Sequence, residues 1–285
     1  MVFSEKNLNN FKRLKTNTLL SVIIPTFNHS KFIAQTIEGC LSQQTNFEFE
    51  LLIGDDASTD KNHQIIKEYS QKYPQKIKAF LHNENLGPQN PIELAGKNNV
   101  KFLFSKAKSP YLAICEGDDY WTDPTKIQQQ VEFLENNQAF NLCHHQTKIV
   151  FEDGTKSKNF NDWQSEKEYL VSELLADNWV IATTSAVFRN NFINGFDNYF
   201  ERAISGDWAI FFQTIAQKKI YYNPNCMGVY RKHQGGVTNI LTNKNRFYLE
   251  NRIQLFEELK EHFYPYRHII QQSIENYKAQ LRTLN

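Results

Sequence analysis

Tyr111-Leu112-Ala113-Ile114-Cys115-Glu116-Gly117-Asp118-Asp119-Tyr120-Trp121 is the stretch on which the reading of this chain turns. Its first five residues form an apolar run of strand length. The run stops in Glu116, Asp118 and Asp119. Carboxylates this close repel one another unless a cation lies among them. Their oxygens suit a hard divalent metal. The plainer alternative is an acidic, solvated turn. What the rest of the chain brings to the same place decides between the two.

Upstream, residues 19–24 are apolar enough for a strand buried on both faces, ended by Pro25. Thr26-Phe27-Asn28 forms a loop, and Asn28 or Ser30 can cap a helix bearing Ile33, Ile37, Cys40 and Leu41. A second strand over 49–53 ends at Gly54 and enters Asp55-Asp56-Ala57-Ser58. Asp60 can cap the next helix, with Ile65, Ile66, Tyr69 and Tyr73 inside. A third strand over 77–81 follows Pro74. Gly87, Pro88 and Pro91 mark a loop, and Val100, Leu103, Phe104 and Ala107 repeat at helical spacing. Strands alternating with helices predict an α/β fold with a mostly parallel, doubly wound sheet. Ligands of such sheets collect at the carboxyl ends of the strands. Phe27-Asn28, Asp55-Asp56 and the Glu116–Asp119 bend therefore belong on one edge.

Downstream, Asp123-Pro124 reads as a helix start, with Ile127, Val131 and Leu134 lining the helix. A strand is expected over 141–151, a turn at Glu152-Asp153-Gly154, a loop over 156–168, a helix over 169–175 and a strand over 180–188. Residues 190–201 read as irregular. Ser205-Gly206-Asp207-Trp208 opens a helix with Ile210, Phe211, Phe212 and Ile215. Two short strands, 220–222 and 227–230, precede Arg231-Lys232-His233-Gln234-Gly235-Gly236, and the chain is helical from 245 onward. The expected organisation is a polar extension over 1–18, a catalytic domain over 19–240 and a helical C-terminal extension over 241–285. The catalytic domain divides at 121 into a nucleotide-sugar half and an acceptor half.

Composition narrows the function classes. The 285 residues are 40% hydrophobic and 14% aromatic, enough for a sizeable core. Lys and Arg number 32 against 31 Asp and Glu, so no basic footprint for nucleic acid exists. No apolar run approaches the roughly 20 residues of a membrane span. Residues 1–18 carry Lys6, Lys12, Arg13 and Lys15 without the apolar segment of a signal peptide, so a cytoplasmic protein is expected. Cys40, Cys115, Cys143 and Cys226 are far apart and read as reduced thiols. Cys143-His144-His145 does not read as a zinc site, because neighbours on a strand point to opposite faces. Arg246, Arg252, Lys260, Arg267, Lys278 and Arg282 either rest on an anionic membrane face or accompany helices packed on the domain. Glu250, Glu257, Glu258 and Glu261 dilute that charge.

Three stretches taken together, Ser21-Val22-Ile23-Ile24-Pro25-Thr26-Phe27-Asn28, Ile53-Gly54-Asp55-Asp56-Ala57-Ser58-Thr59-Asp60 and Glu116-Gly117-Asp118-Asp119-Tyr120-Trp121, strongly resemble the family 2 inverting glycosyltransferases, which have the GT-A fold. The resemblance is close over 19–137 and weaker at Gly206-Asp207-Trp208 and Tyr230-Arg231-Lys232-His233. The Glu-Gly-Asp-Asp-Tyr-Trp form is similar to a branch common among bacterial surface-polysaccharide enzymes. The resemblance implies transfer of one sugar from a nucleotide-diphosphate donor, usually a UDP-sugar, to a hydroxyl of a glycan or lipid-linked acceptor. Pro25, Phe27, Asn28, Asp55, Asp56, Glu116, Asp118 and Arg231 would hold the donor. A carboxylate at Asp56 can accept the uracil N3–H, and Phe27 offers a face for stacking. The bland readings are core packing for Phe27 and a turn or cap for Asp55 and Asp56.

The acidic bend resembles the family's DxD motif, with Glu116 where Asp is usual. A divalent metal, Mn²⁺ or Mg²⁺, would be held by Asp119 first, with Asp118 and His233. Asp207 matches the family's catalytic base, although Gly-Asp before an apolar helix also suits an N-cap. A catalytically silent nucleotide- or glycan-binding subunit is the rival reading. A nucleotidyltransferase would carry a glycine- and arginine-rich first loop, and a dehydrogenase a GxGxxG, and neither follows the first strand.

Overall fold

The computed structural model describes residues 18–87, 96–204, 206–216, 218–236 and 246–284. The expected polar extension lies outside these residues, Thr18 apart, as do Pro88, Pro91, Ser205 and residue 245. In chain order the elements are β1 (Leu20–Thr26), α1 (Ile33–Leu41), β2 (Phe49–Asp55), α2 (Asn62–Lys72), β3 (Ile77–Leu81), α3 (Lys97–Lys106), β4 (Tyr111–Ile114) and β5 (Tyr120–Trp121). There follow α4 (Lys126–Asn136), β6 (Phe140–Phe151), β7 (Lys158–Asn159), β8 (Lys167–Tyr169), α5 (Ser172–Leu175) and β9 (Val187–Arg189). Last come α6 (Asn198–Arg202), α7 (Gly206–Ile215), β10 (Lys219–Lys232), α8 (Arg246–His262) and α9 (Arg267–Arg282).

The sheet runs β3-β2-β1-β4-β9-β6-β10-β5. β1, β2, β3 and β4 are parallel, and β9 runs against both β4 and β6. β10 is parallel to β6, so its carboxyl end reaches the same edge as that of β1. Alternation divides the strand residues between two apolar layers. Val22, Ile24, Leu51, Ile53 and Ala113 join Ile33, Ile37 and Cys40 on one face. Ile23, Leu52, Leu112 and Ile114 join Leu103, Phe104 and the C-terminal helices on the other. A sheet covered on both faces is what continuous apolar runs require.

Several local expectations are corrected. Pro25 does not end β1, which continues to Thr26 beside Asp55. Pairing with β4 stops at Ile23, so the side where proline lacks its N–H no longer faces a strand. The expected strand over 180–188 is a 3-10 turn, Thr183–Ser185, followed by the short β9. There the Ser185 hydroxyl donates to the Ala182 carbonyl at 2.6 Å, a local bond that competes with a ladder. The two strands expected over 220–230 are one, β10, with a register shift between Asn223 and Cys226 that accommodates Pro224. The 156–168 loop contains β7 and the start of β8, and the helix expected over 169–175 shrinks to α5.

The C-terminal helices belong to the main core. Leu249, Phe256, Leu259, Ile270, Ile274 and Tyr277 share one apolar cluster with Trp208, Phe211 and Phe212 of α7. Ser273 donates to the Leu175 carbonyl at 2.7 Å, and Tyr277 to the Asp177 carboxylate. Their cations are mostly paired along the helix: Arg246 with Glu250, Lys260 with Glu257, Lys278 with Glu275. All four cysteines are free thiols. His144 bonds to the Tyr169 hydroxyl at 2.7 Å while the Cys143 thiol turns to Val187, so the two do not share a metal site.

Candidate active site

The strand ends meet as the alternation requires. Thr26 lies beside Asp55, and the Asp56 N–H donates to the Thr26 carbonyl at 3.0 Å. From the other side the Gly117 N–H donates to the Pro25 carbonyl, also at 3.0 Å. Asn28 does not cap α1. With φ of 56°, it turns its Oδ1 to the Thr59 N–H at 2.8 Å, while its own N–H donates to the Ser58 hydroxyl at 2.8 Å. The Ser30 N–H donates to Asp60 Oδ2 at 2.9 Å. Both residues lace the β1 loop to the β2 loop. Asp60 Oδ1 also accepts the Asn62 N–H at 2.9 Å, which starts α2 as expected.

The two aspartates at the end of β2 make different bonds. Asp56 is buried; its Oδ1 accepts the Leu86 N–H at 2.7 Å, and its Oδ2 has no hydrogen-bond partner among the described residues. Burial raises its pKa. Phe27 is half-buried in the β1 loop, directly after Thr26, whose carbonyl accepts the Asp56 N–H. Asp55 is 0% exposed, and its Oδ2 also lacks a hydrogen-bond partner among the described residues. Its carboxylate turns into its own loop, to the Ser58 hydroxyl, to Asn62 Nδ2 at 2.9 Å and to His63 at 3.4 Å. These bonds tie the β2 end to the start of α2.

The acidic bend is held from below by Thr36, whose hydroxyl lies 2.6 Å from the Asp119 carbonyl. Gly117 has no room for a side chain: an added Cβ would stand 2.5 Å from Thr26 Cβ and 2.9 Å from His29 Nδ1. Asp118 Oδ2 lies 2.9 Å from His233 Nε2 and 3.8 Å from His29 Nε2. Burial alone would raise the Asp118 pKa, but the two imidazoles outweigh it and hold the carboxyl below its ordinary range. Among the described residues, the group able to hold a metal is His29, Asp118 and His233, with ligand atoms within 4.8 Å of one another. The expected first ligand, Asp119, is not in that group. Its Oδ1 accepts the Arg231 backbone N–H at 2.8 Å, while its buried Oδ2 has no partner among the described residues. Burial, then repulsion from Asp118 and Glu116, raise its pKa well above normal.

Arg231 approaches through both backbone and side chain. Its guanidinium bonds to Gln35 at 2.7 Å and lies 4.4 Å from the centre of the Phe32 ring. Glu116 is pushed up to about 8 by burial and then by Asp118 and Asp207. That repulsion makes Asp207 an electrostatic neighbour of Glu116. Asp207 sits in the first turn of α7, where its Oδ1 accepts the Trp208 N–H at 2.9 Å. Burial raises its pKa and the charge of Arg252 opposes the rise. Arg252, 3% exposed, lies with its guanidinium 3.8 Å from the Trp208 ring centre and bonds to the Tyr248 hydroxyl at 3.0 Å.

Two residues beside these carboxylates, His29 near Asp118 and Arg252 near Asp207, were not singled out from sequence. His29 follows Asn28 directly at a strand end, and that place was the available signal. Arg252 was grouped with surface cations, yet it falls on the helical stripe of Leu249, Leu255 and Phe256.

Residues 21–200 match the model of glycosyl transferase family 2. The chain belongs to that family. An uncharacterized protein of Mycobacterium tuberculosis is 33% identical over 233 residues, covering 82% of this chain and 64% of the relative. The chain thus spans less than two thirds of that relative's length. The Escherichia coli UDP-Glc:alpha-D-GlcNAc-diphosphoundecaprenol beta-1,3-glucosyltransferase WfaP is 34% identical over 122 residues, 43% of each chain. S. aureus TarS 1-349, solved with UDP-GlcNAc, superposes with a TM-score of 0.68 at 18% identity, covering 91% of this chain and 72% of its own. The Pyrobaculum calidifontis mannosyltransferase PcManGT, solved with GDP-Man and Mn²⁺, gives a TM-score of 0.56 at 15% identity, covering 98% and 81%. These likenesses carry the fold: the mostly parallel sheet with C-terminal helices is the GT-A arrangement.

Proposed function

We propose that this family 2 protein is an inverting glycosyltransferase of the cytoplasm, moving one sugar from a UDP-sugar to a hydroxyl of a glycan or lipid-linked acceptor in cell-surface polysaccharide synthesis. The observation that carries this reading is the convergence of Asp56, the Glu116–Asp119 bend and His233 on one sheet edge, with Asp207 close enough to Glu116 for their charges to repel. The names of WfaP and of the TarS complex support a UDP donor, and the Mn²⁺ complex of PcManGT supports a divalent ion.

Asp56 Oδ2, buried and unmatched by a described partner, accepts the uracil N3–H, and Phe27 supplies an aromatic face. Asp118 and His233 fit a divalent metal, with the Asp119 Oδ2 as a further oxygen. When bound, that ion offsets negative charge on the diphosphate. Arg231 adds a fixed cation beside the bend. Asp207 takes the proton of the acceptor hydroxyl as its oxygen bonds to the anomeric carbon and the bond to the diphosphate oxygen breaks. Attack opposite the leaving group inverts that carbon. Glu116, with its pKa near 8, keeps its proton at neutral pH and adds no second negative charge beside Asp207. The test is stereochemical: an α-linked UDP-sugar is expected to give a β-linked product by NMR, and an α-linked product would refute inversion.

A further inference from the structure

We infer that His29 is a third protein ligand to the divalent ion, making a site of two imidazoles and one carboxylate that selects Mn²⁺ or Co²⁺ over Mg²⁺. The inference rests on the metal-assisted reading above and goes beyond the acidic bend and His233. The distances support it. Ligands about 2.1 Å from one octahedral ion and adjacent to each other stand roughly 3.0 Å apart. His233 Nε2 and Asp118 Oδ2 are 2.9 Å apart, and His29 Nε2 is 3.8 Å from the same oxygen. His29 Nε2 thus stands about 0.8 Å beyond that spacing from Asp118, and the three ligand atoms all lie within 4.8 Å of one another.

The ring is also oriented for the task. Its Nδ1 lies 3.3 Å from the Thr26 hydroxyl, and with Nδ1 as donor the lone pair of Nε2 faces Asp118. Outer hydrogen bonds of this kind fix the tautomer of ligating histidines. The chain continues inward, since Asn62 Nδ2 lies 3.2 Å from Thr26 Oγ1 and 2.9 Å from Asp55 Oδ1. The buried Asp55 carboxylate thus anchors the orientation of His29. Packing holds the ring as well: it meets His233 edge-on at 5.7 Å, and Phe32 lies against both rings at 6.4 and 4.8 Å. Gly117 leaves the space that His29 fills. Imidazole suits later first-row ions, whereas Mg²⁺ prefers an all-oxygen shell, so a second histidine moves selectivity away from Mg²⁺.

The experiment is pulsed EPR of Mn²⁺ bound to the full chain with UDP, which counts coordinated imidazole nitrogens, together with Mn²⁺ and Mg²⁺ titrations. The wild type is expected to show two imidazoles and His29→Ala one. Mn²⁺ affinity should fall at least tenfold in that variant, and Mg²⁺ affinity much less. Thr26→Val should weaken Mn²⁺ by about tenfold through loss of the orienting bond. A wild-type complex with a single imidazole overturns the inference while leaving the transferase reading intact, and that count stands even if His29→Ala fails to fold. A wild type that binds UDP but no Mn²⁺ overturns the metal reading itself.

Discussion

Asp207 is pulled in two directions. Burial favours its protonated form, while the Arg252 guanidinium from α8 favours the charged one. As the proposed base, Asp207 acts only when deprotonated, so activity is expected to rise with pH through its pKa. Removing Arg252 lets that pKa rise further. Arg252→Gln is therefore expected to move the acid limb of the kcat/KM profile to higher pH, by about one unit. A limb that stays in place while only the melting temperature falls would show that Arg252 packs against Trp208 and does nothing more. The chemistry of single residues was partly legible in sequence. Sequence placed Asp56, Asp118 and His233 near strand ends, and the structure brings Asp118 Oδ2 to 2.9 Å from His233 Nε2. At Asp55, sequence gives the residue's place but not the direction of its side chain, and the structure shows the bonds to Ser58 and Asn62 and the approach to His63.

Among the elements, the β4-to-β5 bend depends on Gly117. Any side chain there meets Thr26 and His29 at distances no packed Cβ tolerates. Gly117→Ala is expected to destabilise the protein by about 1–3 kcal/mol, as overpacking does, with a lower urea midpoint. An unchanged midpoint would mean that the bend yields freely. Strands and helices from 19 to 137 were readable because both faces of their sheet are buried, which writes long apolar runs into the chain. Residues 156–202 were read poorly. Their elements are two to five residues long, and side chains such as Ser185 and Asn190 bond to nearby backbone instead of following a period.

Across the whole molecule, the C-terminal helices change in meaning. Read as an extension, they carry cations without an evident purpose. In the fold, α8 and α9 close the core over α7, and Arg252 reaches from α8 to the Trp208 ring beside Asp207. The pairing of exposed cations with neighbouring glutamates leaves few of them for another surface. Such packing joins residues more than 40 apart in the chain, a distance over which periodicity carries no information. One sheet edge that binds a nucleotide-sugar, facing one aspartate that activates an acceptor, is the claim on which the account rests. The most direct test is Asp207→Asn, with UDP-sugar binding and UDP release measured side by side in Mn²⁺. Donor affinity is expected to be unchanged and turnover to fall roughly 10²–10⁴-fold; full turnover, or loss of donor binding with the fold intact, would contradict it.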